Sequence, residues 1–173
     1  MNYTVEYSRR KTIGIYIKDE RIVVRAPNGA DKKIIENFVL NNEEWIKTHL
    51  EKSLRKKDFQ DRITQEEAKE YKKAARKYFE NKTKYFSEIM GIKYGRITIT
   101  SAKRRFGSCS SEGNISYSYL LYLYPEAARE YVIVHELAHR VYMNHSRAFY
   151  ALIERYLPDY KERRRLLKDI PTV

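Results

Sequence analysis

Apolar and polar residues alternate through the first 27 positions of the chain. Tyr3, Val5 and Tyr7 form one run, Ile13, Ile15 and Ile17 a second, and Ile22 and Val24 a third. A period of two marks a half-buried strand, and the polar clusters Arg9-Arg10-Lys11 and Asp19-Glu20 separate the runs. The pattern predicts an antiparallel three-strand meander. Pro27-Asn28-Gly29 reads as a turn, and Asp31 as the cap of a helix carrying Ile34, Ile35 and Phe38. Asn41 and Asn42 mark a break before Trp45, Ile46 and Leu50, and these helices are expected to pack on the meander. The stretch from Glu51 to Asp61 is charge-dense, and reads either as a solvated helix end or as a flexible connection after an N-terminal lobe of about residues 1–60.

Beyond that stretch the period changes to that of a helix. Thr64 followed by Glu67 is a capping box that opens a long helix through Ala68, Tyr71, Ala75, Tyr78, Phe79, Tyr85, Phe86 and Met90, which Gly91 closes. Ile97 and Ile99 alternate in a strand leading into Lys103-Arg104-Arg105 and then Phe106-Gly107-Ser108-Cys109-Ser110. A Glu112-Gly113 turn and a strand from Asn114 to about Leu123 complete a hairpin with an irregular Gly/Ser start. Pro125 at a first helical position predicts a helix to Met143, with further helices from Ser146 and near Asp159. The expected fold is α+β, in one domain over residues 1–173 whose second lobe occupies about 61–173.

Composition narrows the class. With 173 residues, 16 tyrosines and 6 phenylalanines there is enough buriable surface for one core, which excludes intrinsic disorder. Thirty-five Lys and Arg against 23 Asp and Glu leave +12, a balance that favours polyanionic partners such as nucleotides or nucleic acid. No apolar run approaches the roughly 18 residues of a membrane span, and the N-terminus lacks the apolar core of a signal peptide. A cytoplasmic protein without a membrane partner is expected. The single cysteine, Cys109, excludes an intrachain disulfide framework and a multi-cysteine zinc knuckle.

The sequence Val132-Ile133-Val134-His135-Glu136-Leu137-Ala138-His139 lies on the predicted helix from Pro125. His135 and His139, four apart, fall on one face where both imidazoles can share a metal. Glu136 sits about a hundred degrees round the helix, from where it can reach a zinc-bound water as general base without displacing a ligand. A histidine pair that merely satisfies itself inside a buried helix is the alternative. Against it stands the cost of burying Glu136 and two imidazoles in so apolar a stretch without a metal or a full hydrogen-bond network. Asn144 reads as a left-handed cap that reverses the chain, and His145 on that reversal is placed to be the third ligand of a catalytic zinc site. Glu154 on the following helix is the alternative third ligand.

Together, HELAHRVYMNHSRAF (His135 to Phe149) and RRFGSCSSEGNISYSYLLYLYP (Arg104 to Pro125) resemble the YgjP-like metallopeptidase family, which is related to the SprT-like and WLM zincins. SRRKTIGIYI, the APNGAD turn and Glu44-Trp45-Ile46 fit the front half of the same family, so the resemblance covers nearly the whole chain. It implies a zincin-like core with the hairpin packed on the HExxH helix. It also implies one zinc ion per chain held by His135, His139 and His145, with Glu136 as the base. One departure is Phe106, where the family usually has tryptophan, so an indole donor is missing. The interval from His139 to His145 is also that of the metzincins, but their glycine would fall at Tyr142, and metzincin architecture is not assigned.

Three substrate classes follow. A zinc peptidase is preferred on family grounds, with the strand from Asn114 to Leu123 as an edge for an extended peptide. A metal-dependent nucleoside triphosphate pyrophosphohydrolase would use Lys103, Arg104 and Arg105 beside the backbone-rich Gly107-Ser108 loop to hold phosphates. A nucleic-acid-associated protease would use the basic surface for recruitment. Tyr142 and Arg105 are both candidates for the donor to a tetrahedral oxyanion. His49 reads as a helix-surface histidine, Cys109 as structural rather than nucleophilic, and Tyr117, Tyr119, Tyr122 and Tyr124 as strand residues rather than a base-binding platform.

Overall fold

The computed structural model describes residues 1–169 and 171, and the chain divides into two compact units, one from Met1 to Arg62 and another beginning at Ile63. The sheet of the first unit contains β1 (Tyr3–Ser8), β2 (Gly14–Lys18) and β3 (Arg21–Pro27). β2 and β3 form a hairpin around Asp19 and Glu20, whose φ angles of 49° and 58° supply the two left-handed positions of a tight hairpin turn. β1, however, runs parallel to β3, with Tyr3 opposite Ile22, so the order is β1-β3-β2. The expected antiparallel meander is therefore corrected. Alternation states which side chains share a face, and it is the same for parallel and antiparallel neighbours. As the inner strand, β3 buries Ile22, Val23, Val24 and Ala26.

Helix α1 (Lys32–Leu40) begins where the Asp31 carboxylate accepts from the Lys33 amide at 2.7 Å, and it ends at Asn41. After that break α2 (Glu43–Arg62) runs straight through the charged stretch, which is therefore helix rather than a flexible connection. Ile35, Val39 and Ile46 close a core with Ile22, Val24 and Ala26.

In the second unit α3 (Gln65–Met90) opens on the predicted capping box. Glu67 N donates to Thr64 Oγ1 at 3.2 Å and Thr64 N to Glu67 Oε2 at 2.8 Å. The helix closes at Gly91 in the left-handed region, which glycine enters without a Cβ penalty. Its buried stripe is Ala75, Phe79, Thr83, Phe86 and Met90. Phe79 stacks on Tyr117 at 4.6 Å, and Thr83 Oγ1 lies 3.1 Å from Tyr117 Oη, giving the fully buried phenol its partner.

The sheet of this unit contains β4 (Ile97–Thr100), β5 (Gly107–Cys109) and β6 (Ile115–Ser118). β5 and β6 are the expected hairpin, while β4 lies parallel on the far side of β6, giving the order β4-β6-β5. β6 is thus an inner strand and cannot serve as the edge expected for a peptide; among the described residues β4 and β5 are the outer strands of this sheet. The strand predicted to reach Leu123 stops at Ser118. There Ser118 Oγ donates to Ala102 O at 2.7 Å and accepts from Leu120 N at 3.3 Å, turning the chain into a short 3-10 segment, Tyr119–Leu123. Tyr119, Leu120 and Leu121 are buried together, which a strand with one solvated face would not allow.

Helix α4 (Glu126–Ala138) starts just after Pro125 and ends well before the predicted Met143. The chain beyond it is drawn over the hairpin turn by Arg140, whose Nη1 donates to Ser111 O at 2.8 Å and whose Nε donates to Lys93 O at 3.3 Å. Gly113 makes room for that guanidinium: its φ is 90°, and a Cβ there would lie 2.6 Å from Arg140 Nε. Asn144 is not left-handed; among the described residues only Asp19 and Glu20 are non-glycine residues with positive φ. α5 (Arg147–Tyr156) starts at Ser146 as expected, and α6 (Tyr160–Leu166) follows. α4 packs against α3, β5, α5 and α6, and Ala128, Ile133, Val134, Leu137 and Ala138 have no exposed surface. The chain is α+β, and among the described residues no helix is long and apolar enough to cross a membrane.

Candidate active site

Tyr131, His135 and His139 follow one another at four-residue intervals along one face of α4. His139 is the C-cap residue, yet its φ of −64° and ψ of −17° are still helical, so it keeps the spacing although the helix stops before it. His145 returns to this face from the loop after α4. Its Nε2 lies 3.2 Å from His135 Nε2, and one ligand nitrogen from each of the three histidines falls within 4.8 Å of the others.

Two groups orient the rings from behind. The Tyr142 carbonyl oxygen lies 3.1 Å from His139 Nδ1, and Tyr131 Oη lies 3.4 Å from His135 Nδ1. With Nδ1 occupied, Nε2 is the atom each ring presents to a metal. Beneath them is Phe149, fully buried, with its ring centroid 5.0, 4.6 and 4.9 Å from those of His135, His139 and His145. Ser146 sets that floor in place, because the Oγ that caps α5 accepts from the Phe149 amide at 3.3 Å.

The donor set fits zinc. Two imidazole nitrogens 3.2 Å apart oppose lone pair to lone pair unless a proton or cation lies between them. Tetrahedral zinc with Zn–N of about 2.0–2.1 Å separates two of its nitrogens by about 3.3 Å. Three neutral imidazoles suit a borderline ion that keeps a fourth position for water or substrate. Burial, reinforced by the neighbouring His139 and His145, holds His135 neutral down to about pH 3, and burial lowers His139 as well.

Glu136 is the adjacent residue and only 5% exposed. Burial pushes its carboxyl up to about 8, with Arg105 acting in the opposite direction. Its side chain occupies the space beside Gly107 of β5, where a Cβ would come within 2.5 Å of Oε1. Cys109, on the same face of β5, has its thiol pushed up by burial and by the charge of Glu136, which favours the unreactive protonated form.

Of the other candidate residues, Arg104 and Arg105 are exposed just before β5. Gly107 and Ser108 are paired with β6, opposite Tyr117 and Ser116, so they do not form the amide-lined loop envisaged for phosphate. Tyr142 contributes its carbonyl to His139, and its side chain is 36% exposed. Glu154 is exposed on α5 and outside the histidine cluster. His49 is stacked on Trp45 at 3.9 Å on α2, also outside it. Sequence reasoning missed Tyr131, although its four-residue interval to His135 repeats that from His135 to His139. It named Phe149 only as part of a motif.

A family profile described as YgjP-like, metallopeptidase domain, matches residues 11–71 and 55–170. Among solved structures, the chain is similar to the metallopeptidase zymogen abylysin of Pyrococcus abyssi, at 23% identity and a TM-score of 0.48, over 51% of this chain and 90% of that one. No curated protein matches the chain to significance.

Proposed function

The chain belongs to the YgjP-like metallopeptidase family, and from that membership we propose that it is a zinc-dependent peptidase with its catalytic residues in the unit beginning at Ile63. The observation that carries the reading is the convergence of His135, His139 and His145 beside the buried carboxylate of Glu136. The three histidines would hold the ion through Nε2, with His139 braced by the Tyr142 carbonyl and His135 by Tyr131. When bound, zinc supplies Lewis acidity toward a water molecule and the scissile carbonyl.

Glu136 is the proton carrier. Buried, it is a stronger base than a solvated carboxylate, and beside a divalent cation it ionises more readily than alone. It accepts a proton from the attacking water and delivers it to the departing amine. Gly107 keeps the wall next to this carboxylate bare. β5, an outer strand of its sheet, would offer backbone groups to an extended substrate strand alongside the site.

The test is hydrolysis by zinc-loaded protein of a peptide library and, in parallel, of nucleoside triphosphates, with Glu136→Gln as the control. Peptide cleavage by the parent and none by the variant, with zinc retained in both, is the expected result. Hydrolysis of triphosphates with no peptide cleaved would replace the peptidase reading with a pyrophosphohydrolase.

A further inference from the structure

In the unit from Met1 to Arg62, Ile35, Val39 and Ile46 of the helices pack on the face of the sheet that bears Ile22, Val24 and Ala26. The opposite face carries, in register, Lys18 beside Arg21, then Tyr16 beside Val23, then Glu6 and Gly14 on either side of Arg25. Lys18, Arg21, Arg25 and Glu6 are exposed there, and Tyr16 is 42% exposed. Glu6 is the one carboxylate among these strand positions.

Tyr16 gathers cations around its ring. The Arg25 guanidinium lies 4.9 Å from the ring centre while Arg25 Nε donates to Glu6 Oε2 at 2.9 Å. Arg10, on the loop after β1, stands 6.0 Å from the same centre. Gly14 leaves the space in which they meet, since a Cβ there would lie 3.2 Å from both Arg10 Nη2 and Tyr16 Cε2. Arg10, Lys18 and Arg21 take part in no ion pair among the described residues, so Glu6 offsets one of four charges on this face. Lys18 and Arg21 are also direct cross-strand neighbours, and like charges so placed repel until an anion lies between them. Arg21 and Arg25 are about 13 Å apart along β3, a distance that one phosphate group cannot bridge and a chain of phosphates can.

We propose that this face binds single-stranded nucleic acid, with Arg10, Lys18, Arg21 and Arg25 on the phosphates and Tyr16 as the platform for a base. Along the face the order is charge, ring, charge, and a single strand offers the matching alternation of phosphate and unpaired base. A duplex keeps its bases stacked inside, and an anionic lipid surface offers charge without a flat partner for the ring, so neither uses Tyr16 in this way. The proposal does not depend on the peptidase reading, because the residues belong to the unit that ends at Arg62 and the three histidines to the unit that begins at Ile63.

The experiment uses the full chain and fluorescence anisotropy of labelled single strands of about 12 nucleotides, DNA and RNA of one sequence, across a range of salt. The DNA duplex of that sequence and phosphatidylserine vesicles are measured in parallel. Both single strands should bind, and more weakly as salt rises. Replacing Lys18, Arg21 and Arg25 together by Gln should weaken binding about tenfold or more and lower the logarithmic salt slope by about 2, at about 0.7 for each phosphate contact on a single strand. Replacing Lys73, Lys77 and Lys84 by Gln removes the same charge from exposed positions of α3 and should leave the slope as in the parent. Tyr16→Leu should weaken binding about five- to a hundredfold, the scale of one lost stacked base, with the slope unchanged. Tyr16→Phe, which keeps the ring, should bind as the parent does. Any of four results would overturn the proposal: no single-strand binding at low salt, an equal loss in the α3 variant, a Tyr16→Leu variant that binds as the parent or no worse than Tyr16→Phe, or tighter binding of duplex or vesicles than of single strands. Peptide cleavage is assayed separately, and neither result bears on the other.

Discussion

Gly107 and Glu136 share one volume: a Cβ on residue 107 would sit 2.5 Å from Glu136 Oε1, 2.8 Å from Cγ and 2.9 Å from Cδ. A strand residue without a side chain is what lets a buried carboxylate stand next to the three clustered histidines. Gly107→Ala should therefore push Glu136 out of position while leaving the three histidines alone. We expect a loss of peptidase rate of about a hundredfold, the scale of a 1 Å misplacement, with zinc stoichiometry unchanged. Kinetics and metal analysis on the same preparation check this; an alanine variant with parental rate would mean that Glu136 need not stand where it does.

The third ligand is the next point of test. His145→Ala should leave two imidazoles and weaken zinc by orders of magnitude, whereas Glu154→Ala should bind zinc as the parent does. Competition with a chromophoric chelator measures both. Circular dichroism must first show each variant folded, since His145 precedes the Ser146 cap of α5. Normal zinc in the first variant and loss in the second would move the ligand to α5.

Phe149 and Tyr131 should affect metal through geometry alone. Phe149→Leu keeps the floor apolar but removes the flat ring under the three imidazoles, and Tyr131→Phe removes the hydroxyl 3.4 Å from His135 Nδ1. Each should weaken zinc about ten- to a hundredfold, the usual effect of losing a group that orients a ligand. Tyr131→Phe should do so with little change in melting temperature. Unaltered zinc affinity in both variants would make the two aromatics ordinary packing.

Metal-free protein should show a distinctive pH profile of stability. Glu136 holds its proton up to about pH 8 when folded, against an ordinary value of 4.5, so above 4.5 its ionisation is resisted by the fold and stability declines as pH rises toward 8. His135 goes the other way. Neutral down to about pH 3 when folded, against 6.5 ordinarily, it makes stability rise with pH up to 6.5. The two oppose between 4.5 and 6.5, and from 6.5 to 8 Glu136 acts alone, lowering stability by up to about 2 kcal/mol. Chemical denaturation in chelator at pH 6.5 and 8 should reveal the decline, and Glu136→Gln should abolish it.

Much of this was legible in the sequence because it is local. Thr64 with Glu67 and Gly91 bound α3, Ser146 opens α5, and the four-residue interval of His135 and His139 needs only a helix to become a metal-facing pair. What escaped is tertiary. The parallel partnership of β1 and β3 leaves no mark on alternation. The end of α4 at Ala138 depends on Arg140 finding carbonyls of Lys93 and Ser111, far away in the chain. The stop of β6 at Ser118 depends on the Ala102 carbonyl. The same holds for Gly107, whose glycine answers to a side chain on another element rather than to a turn.

The histidines are anchored in material of unequal firmness. His135 and His139 stand on or at the end of a helix whose inner residues have no exposed surface, while Val141 to His145 lie open to solvent. Backbone amides of α4 should therefore exchange with deuterium only when the whole unit unfolds, and those of residues 141–145 by brief local openings. Zinc would then be surrendered in two stages, His145 swinging away first and the rigid pair letting go afterwards. The kinetic lifetime of the ion is in that case a property of the loop, and adding zinc should slow exchange there far more than along α4.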